Sequence, residues 1–164
     1  MSETIAKEAV ALLREKCKTI AVAESCTGGS LCGTLTDVPG VSEVFRYGVA
    51  VYANEAKTRE LSVPETLIAA HGAVSEEVAV AMAQGVRAKD HADLGLAVTG
   101  IAGPGGGTPQ KPVGTVWMAL CGEHGCITRK LQLPETDSRT AIRAKTVQQA
   151  LLFLCKTLKT NQNF

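Results

Sequence analysis

Thr19-Ile20-Ala21-Val22-Ala23 runs directly into Glu24-Ser25-Cys26-Thr27-Gly28-Gly29, and this stretch decides the fold. The first five residues read as a short buried strand. The two glycines end it, and a helix follows with Leu31 and Leu35 on one side. A buried strand that passes through a tight glycine turn into a helix belongs to a parallel sheet with helices packed on its faces.

The same logic extends outward. Upstream, residues 3–17 carry Ile5, Ala9, Leu12 and Leu13 at helical spacing, which predicts an amphipathic first helix. Downstream, Asp37-Val38-Pro39-Gly40 is a turn, and Val44 to Tyr52 reads as a strand with Gly48 inside it. Asn54 can cap a short helix that includes Lys57, and Pro64 to Ala70 makes another, stopped by Gly72. Ser75, followed by Glu76 and Glu77, opens a longer helix with Val78, Ala81, Met82 and Val86 on one face. Leu94 to Thr99 is a second buried strand ending in the glycine-rich loop 100–107. Val113 to Cys121 and Cys126 to Leu133 form a hairpin, and a last helix starts near Asp137 or Ser138 with Val147, Leu151, Leu154 and Leu158 as its stripe. The tail from Thr160 to Phe164 is polar and expected to fray. These elements make an α/β, three-layer α/β/α sandwich whose sheet is mostly parallel, with an antiparallel strand added by the late hairpin.

Composition bounds the function. At 164 residues and 17.1 kDa the chain reads as a single domain spanning 1–164, large enough to bury a core without metals or disulfides. Lys plus Arg is 17 against 16 for Asp plus Glu, so no basic excess drives nucleic-acid binding. No apolar run reaches the roughly 20 residues that cross a bilayer. MSETIAKEAV is polar and lacks the apolar core of a signal peptide, so a soluble cytoplasmic protein is expected. Small residues in 75–89 suit close helix packing, either in the core or across a homodimer or higher homo-oligomer.

The six cysteines show no C-x2-C pair, and a cytoplasmic setting argues against disulfides. Cys17 and Cys155 fall on helical apolar stripes as core residues. Cys121 and Cys126 flank a turn and can approach each other. With His124 they make a poor metal set, short of ligands for structural zinc.

Ligands of open α/β sheets bind beyond the C-terminal strand ends. Loops 24–29 and 99–107 meet that edge, and their glycines let backbone N–H groups approach an anionic group. The residues that point there are Thr27, Gly28 and Gly29 in the first loop, and Thr99, Gly100 and Gly103 in the second. Ser25 sits between strand and helix. It is either a helix N-cap or a nucleophile with backbone donors beside it. Cys26 is a rival nucleophile if a helix N-terminus lowers its pKa. His71, His91 and His124 lie outside any motif and read as surface residues, so a serine needs another base. Lys57 can serve if desolvated, with Tyr52 relaying a proton or orienting the amine. An exposed helix lysine is the simpler alternative. Arg139 and Arg143, one turn apart, are either a clamp for a phosphate or carboxylate, or surface charges.

Ala23-Glu24-Ser25-Cys26-Thr27-Gly28-Gly29 resembles the signature of the C-terminal domain of CinA (competence/damage-inducible protein). The resemblance continues in Phe45-x2-Gly48-x3-Tyr52-x-Asn54-x2-Lys57, in His71-Gly72-Ala73-Val74-Ser75, in Thr99-Gly100-Ile101-Ala102-Gly103-Pro104 and in Lys111-Pro112-Val113-Gly114-Thr115-Val116. These blocks run in order over most of residues 20–120. The resemblance implies a mixed five-stranded sheet of order 2-1-3-4-5 with strand 4 antiparallel. It implies a Ser/Lys amidohydrolase (PncC-like) that converts nicotinamide mononucleotide to nicotinate mononucleotide and ammonia in pyridine nucleotide recycling. Ser25 falls on the family's nucleophile, Lys57 on its base and Tyr52 on its supporting tyrosine. No metal and no cofactor are implied; the partner expected is the small-molecule nucleotide substrate, with no nucleic acid and no membrane, beside a homodimer or higher homo-oligomer. Two alternatives stand beside this: a non-catalytic module that binds a pyridine nucleotide, and the same amidase chemistry on another carboxamide. The family often carries Gly-Asp-Arg before the last helix, where this chain has Thr136-Asp137-Ser138-Arg139. The N-terminal domain of longer CinA proteins, with any activity of its own, is not expected here.

Overall fold

A computed structural model describes residues 2–160; the tail beyond Thr160, expected to fray, lies outside the described residues. The chain order is α1 (Ser2–Glu15), β1 (Ile20–Glu24), α2 (Ser30–Thr36), a 3-10 turn (Val41–Glu43), β2 (Phe45–Ala50), α3 (Asn54–Leu61), α4 (Glu65–His71), α5 (Glu76–Asp90), β3 (Leu94–Gly100), β4 (Thr115–Cys121), β5 (Cys126–Gln132) and α6 (Arg139–Lys159). The five strands form one sheet in the order β2-β1-β3-β4-β5. β1 runs parallel to both neighbours, with Val22 opposite Gly48 on one side and Leu96 on the other. β4 is antiparallel to β3 and to β5. This is the mixed three-layer α/β/α architecture expected from the sequence, with strand 4 as the reversed one.

Strand alternation assigns the two faces. Ile20, Val22, Leu96, Val98, Val116 and Met118 join α1, α2 and α6 in one core. The opposite face presents Ala21, Ala23, Ala97 and Ala119 to α5, with Val51, Leu61 and Ile68 completing the second core. Large side chains thus fill the layer toward α1 and α6, while alanines let α5 settle close to the backbone. Gly95 marks the tightest approach: a Cβ there would run into the Ala83 carbonyl oxygen and lie 2.8 Å from the Arg87 Cβ. Gly95→Ala is expected to cost roughly 2–3 kcal/mol in urea unfolding, because backbone must move rather than a side-chain tip. A loss below about 0.5 kcal/mol, the scale of a neutral surface change, would mean that α5 shifts freely. Ala79, Ala83 and Gly85 are spent in this packing, Gly85 against the Leu61 carbonyl, so the core accounts for these small residues of α5.

Several local expectations change. α1 ends at Glu15, and Cys17 sits exposed beyond it at φ 51, so the apolar stripe does not reach it. Cys155 is buried as expected. α3 is capped by the backbone of Ala53, and Asn54 is already its first helical residue. The hairpin register sets Cys121 directly opposite Cys126, Cα atoms 4.1 Å apart, and the two are joined by a disulfide. The expectation against disulfides and the weak metal set with His124 both fall here. Spacing brought the cysteines near each other, but only the strand register placed them face to face. Among the described residues, no helix is long and apolar enough to cross a membrane.

The parallel strands all end at one edge, with Glu24 opposite both Ala50 and Val98. The segments that follow β1, β2 and β3 therefore gather at a single place.

Candidate active site

Ser25 follows β1 without a gap. Its N–H donates to the Val98 carbonyl at 3.0 Å, extending the β1–β3 pairing by one residue, so the sheet holds its backbone. The chain then turns tightly: Gly28 N–H donates to the Ser25 carbonyl at 3.1 Å, and Ser30 N–H to the Thr27 carbonyl at 3.2 Å. Gly28 and Gly29 stand at φ +60 and +96, the left-handed region that glycine enters at little cost. Gly29, not Ser25, is the N-cap of α2. The side chain that serves the helix end is that of Glu24, whose carboxylate accepts from the N–H groups of Gly29, Leu31 and Cys32 at 3.0, 3.1 and 2.7 Å. The capping reading of Ser25 is thereby replaced, and its hydroxyl is left for other work.

Lys57 arrives from the other side of the edge. Val51 N–H donates to the Glu24 carbonyl at 2.8 Å, which ties the end of β2 to the end of β1. α3 then starts at once. Lys57 and Leu61 lie one turn apart on its inward face, and both are buried. Lys57 is only 1% exposed. Its Nζ lies 3.3 Å from Ser25 Oγ, 2.9 Å from the Val51 carbonyl oxygen and 3.2 Å from that of Tyr52. A neutral amine has two N–H groups for the two carbonyls and a lone pair to receive the Ser25 O–H. Burial pushes the amine's pKa below its ordinary 10.5, outweighing the opposing effects of Cys26 and Glu55. The exposed-lysine alternative does not hold.

Cys26 turns the opposite way, into the core beneath α2. Burial, helped by the Glu24 charge, pushes its thiol up to about 12. The expected lowering by a helix N-terminus is overridden: burial outweighs the lowering by the thiol's own backbone N–H and by Arg143 and Arg139. A thiol held protonated is a poor nucleophile, so Ser25 (9% exposed) is the stronger of the two.

Tyr52 is placed differently from its expected relay position. It is its backbone carbonyl that meets Lys57, while the phenol, 59% exposed, accepts from Arg139 Nη2 at 2.6 Å. Arg139 also donates from Nη1 to the Gly103 carbonyl at 2.7 Å. Arg143, one turn further along α6, donates to the Thr27 carbonyl at 2.8 Å and to Ser30 Oγ at 3.1 Å. Both guanidinium groups thus reach the loops around Ser25. Ser138, within the segment that departs from the family pattern, caps α6 by accepting from Ala141 N–H at 3.2 Å, so the start of the helix is well formed.

The remaining expected residues divide. Thr27 is fully buried with an unpartnered Oγ1. Thr99 spends its hydroxyl on the Ala73 carbonyl at 2.8 Å, pinning the segment before α5 to β3. The Gly29 N–H is taken by Glu24. Gly100 closes β3 where a Cβ would press on the Thr115 carbonyl oxygen at 2.9 Å. His71, His91 and His124 are exposed. Glu24 was missed as the side chain that binds the start of α2. Its signal was an acid ending a run of apolar strand residues, just ahead of a helix. Among the described residues, no group of three or more His, Cys, Asp or Glu side chains is placed to hold a metal ion.

A mixed three-layer α/β/α domain with a serine hydroxyl against a desolvated lysine at its strand ends is a definite structural class. Within that class the chain belongs to the CinA C-terminal domain family, whose sequence model matches residues 2–158. A CinA-like protein of Geobacter sulfurreducens is 50% identical over 96% of the chain, one of Synechococcus sp. (strain CC9902) 48% over 91%, and one of Gemmatimonas aurantiaca 56% over 81%. The matched regions cover 38%, 36% and 31% of those relatives, so the chain spans about a third of their length. Among solved structures, a competence/damage-inducible protein from Agrobacterium tumefaciens superposes with a TM-score of 0.91 at 37% identity, covering 96% of this chain and 95% of that one. A CinA superfamily protein from Klebsiella pneumoniae gives 0.93 at 30% identity, covering 98% and 99%.

Proposed function

We propose that this chain is a Ser/Lys amidohydrolase that converts nicotinamide mononucleotide to nicotinate mononucleotide and ammonia. The observation that carries the reading is the 3.3 Å approach of the buried Lys57 amine to Ser25 Oγ. Family membership and the fold likeness support it.

Neutral Lys57 takes the Ser25 proton as Oγ attacks the carboxamide carbon. The tetrahedral oxyanion is held by backbone N–H groups. Among the described residues, those of Cys26 and Thr27 donate to no other residue, whereas the Gly28 and Gly29 N–H groups are already engaged. Each such donor is worth about 3 kcal/mol. Protonated Lys57 returns its proton to the leaving nitrogen, ammonia departs, and the acyl group stays on Ser25. Water, deprotonated by the same amine, then attacks the ester and frees the carboxylate and Ser25. Arg139 and Arg143 face the ribose phosphate, and this remote contact orients the amide for attack.

The test is ammonia release from nicotinamide mononucleotide, measured by a coupled assay, beside nicotinamide riboside. Release from the mononucleotide is expected, with kcat/KM for the riboside lower by about 100-fold, the scale of a lost charge-assisted phosphate contact. Tight binding by calorimetry without ammonia would instead establish a pyridine-nucleotide-binding module. Release only from a different carboxamide would retain the chemistry and replace the substrate.

A further inference from the structure

The turn that carries Ser25 is held by a charge that the mechanism above does not use. Glu24 is fully buried at the end of β1. Its backbone is fixed by the sheet on both sides, opposite Ala50 and Val98, and its carbonyl accepts from Val51 N–H. Its side chain reaches forward to the other end of the turn. One carboxylate oxygen accepts from Gly29 and Leu31, and the second accepts from Cys32 at 2.7 Å. Ser25 to Gly28 therefore spans two points that a single residue ties together. Within that span the chain has two turn hydrogen bonds of its own, Arg143 braces the Thr27 carbonyl from α6, and two glycines stand at positive φ, so Glu24 is the side chain that ties the two ends of the turn to each other. A buried carboxylate is expensive unless its hydrogen bonds are complete, and amide donors at a helix start complete them.

We propose that Glu24 is a positioning residue: by clamping Gly29, Leu31 and Cys32 it sets the turn in which Ser25 Oγ meets Lys57 Nζ and the Cys26 and Thr27 amides donate to no other residue. The proposal rests on the reading of Ser25 as nucleophile. Glu24 touches neither substrate nor the reacting atoms. It acts through the geometry of the turn.

Glu24→Gln tests this. The amide has nearly the same shape, but one acceptor oxygen becomes an NH2 group facing backbone donors. Expected are a wild-type far-ultraviolet circular dichroism spectrum and cooperative unfolding. Turnover should fall about 100-fold, the scale of a misplacement near 1 Å. KM for nicotinamide mononucleotide should stay within about threefold, since this is a loss of transition-state contact alone. The acid limb of the pH profile should keep its midpoint, because Lys57 remains equally buried. The rate at which a fluorophosphonate labels Ser25 should fall in parallel. Glu24→Asp, which keeps the charge but draws it back by one methylene, should lie between the two. A folded Glu24→Gln chain with wild-type kcat overturns the proposal. So does a loss confined to KM, or a shifted acid limb. If the Gln variant does not fold, the Asp variant decides: reduced labelling in a folded chain supports positioning, while wild-type labelling or failure to fold overturns it. A wild-type chain that labels at Ser25 but releases no ammonia overturns the substrate reading and leaves the Glu24 test running on the label. A wild-type chain whose Ser25 takes no label overturns both.

Discussion

Ser25→Ala is expected to lower ammonia release by about 10⁴-fold or more, as removal of a covalent nucleophile does in other hydrolases. The fold should survive, because the bonds that Ser25 gives to the architecture are made by its backbone: its N–H to Val98 and its carbonyl to Gly28. Among the described residues its hydroxyl has one partner, Lys57. Unfolding midpoints measured beside the kinetics separate the two effects. Cys26→Ala is the control. The thiol is buried, protonated and turned into the core, so the variant should keep activity within several-fold while losing some stability to the small cavity. Full turnover in Ser25→Ala, or loss only in Cys26→Ala, would transfer the chemistry to the thiol.

Lys57→Met carries the second large effect. Loss of the base should reduce kcat by about 10³-fold, within the range of general-base removal. In the wild type, kcat/KM should rise with pH through the lysine's lowered pKa and then level off, because only the neutral amine accepts the Ser25 proton. A profile flat down to pH 5 would exclude lysine as the base. Stability should follow the same titration. The unfolded chain keeps the lysine charged up to its ordinary 10.5, while the folded chain sheds the proton earlier. Between those two values the unfolded state binds more protons, so unfolding free energy rises with pH across the window, by about 1.4 kcal/mol for each unit of lowering. Below the window both states are charged and the folded one bears the cost of burying an ammonium. Urea titrations at several pH values should show a more positive slope in the wild type than in Lys57→Met, the difference being the lysine's share, because the buried Cys26 thiol titrates in the alkaline range in both. An identical slope in both would place its origin elsewhere.

Much of the site was legible because its parts are short and local. The glycines at 28 and 29 announced the turn, and Ser75 and Ser138 announced helix starts by the ordinary capping rule. The errors share a different origin. Asn54 looked like a cap because its type favours that role, yet the backbone at Ala53 already had the extended geometry that starts the helix. Tyr52 was assigned to the lysine by spacing, but past the end of β2 it is its carbonyl that meets Lys57, while its ring reaches Arg139. The disulfide between Cys121 and Cys126 depended on strand register, which two flanking cysteines do not specify.

The chain's own pattern of residues was enough to define the strands, the glycine turns, the three layers and the serine as the residue of interest. These follow from burial periodicity and backbone freedom within a few residues. Whether Lys57 lay in water or in the interior could not follow from its neighbours in the chain. Its amine is desolvated because β2 ends beside β1, α3 begins immediately afterwards, and its inward face packs on α5. The Arg139 and Arg143 contacts came likewise from folding, since α6 returns more than a hundred residues after Thr27 to reach the same edge. Charge state and convergence depend on what surrounds a group in space, and long-range packing alone supplies those surroundings.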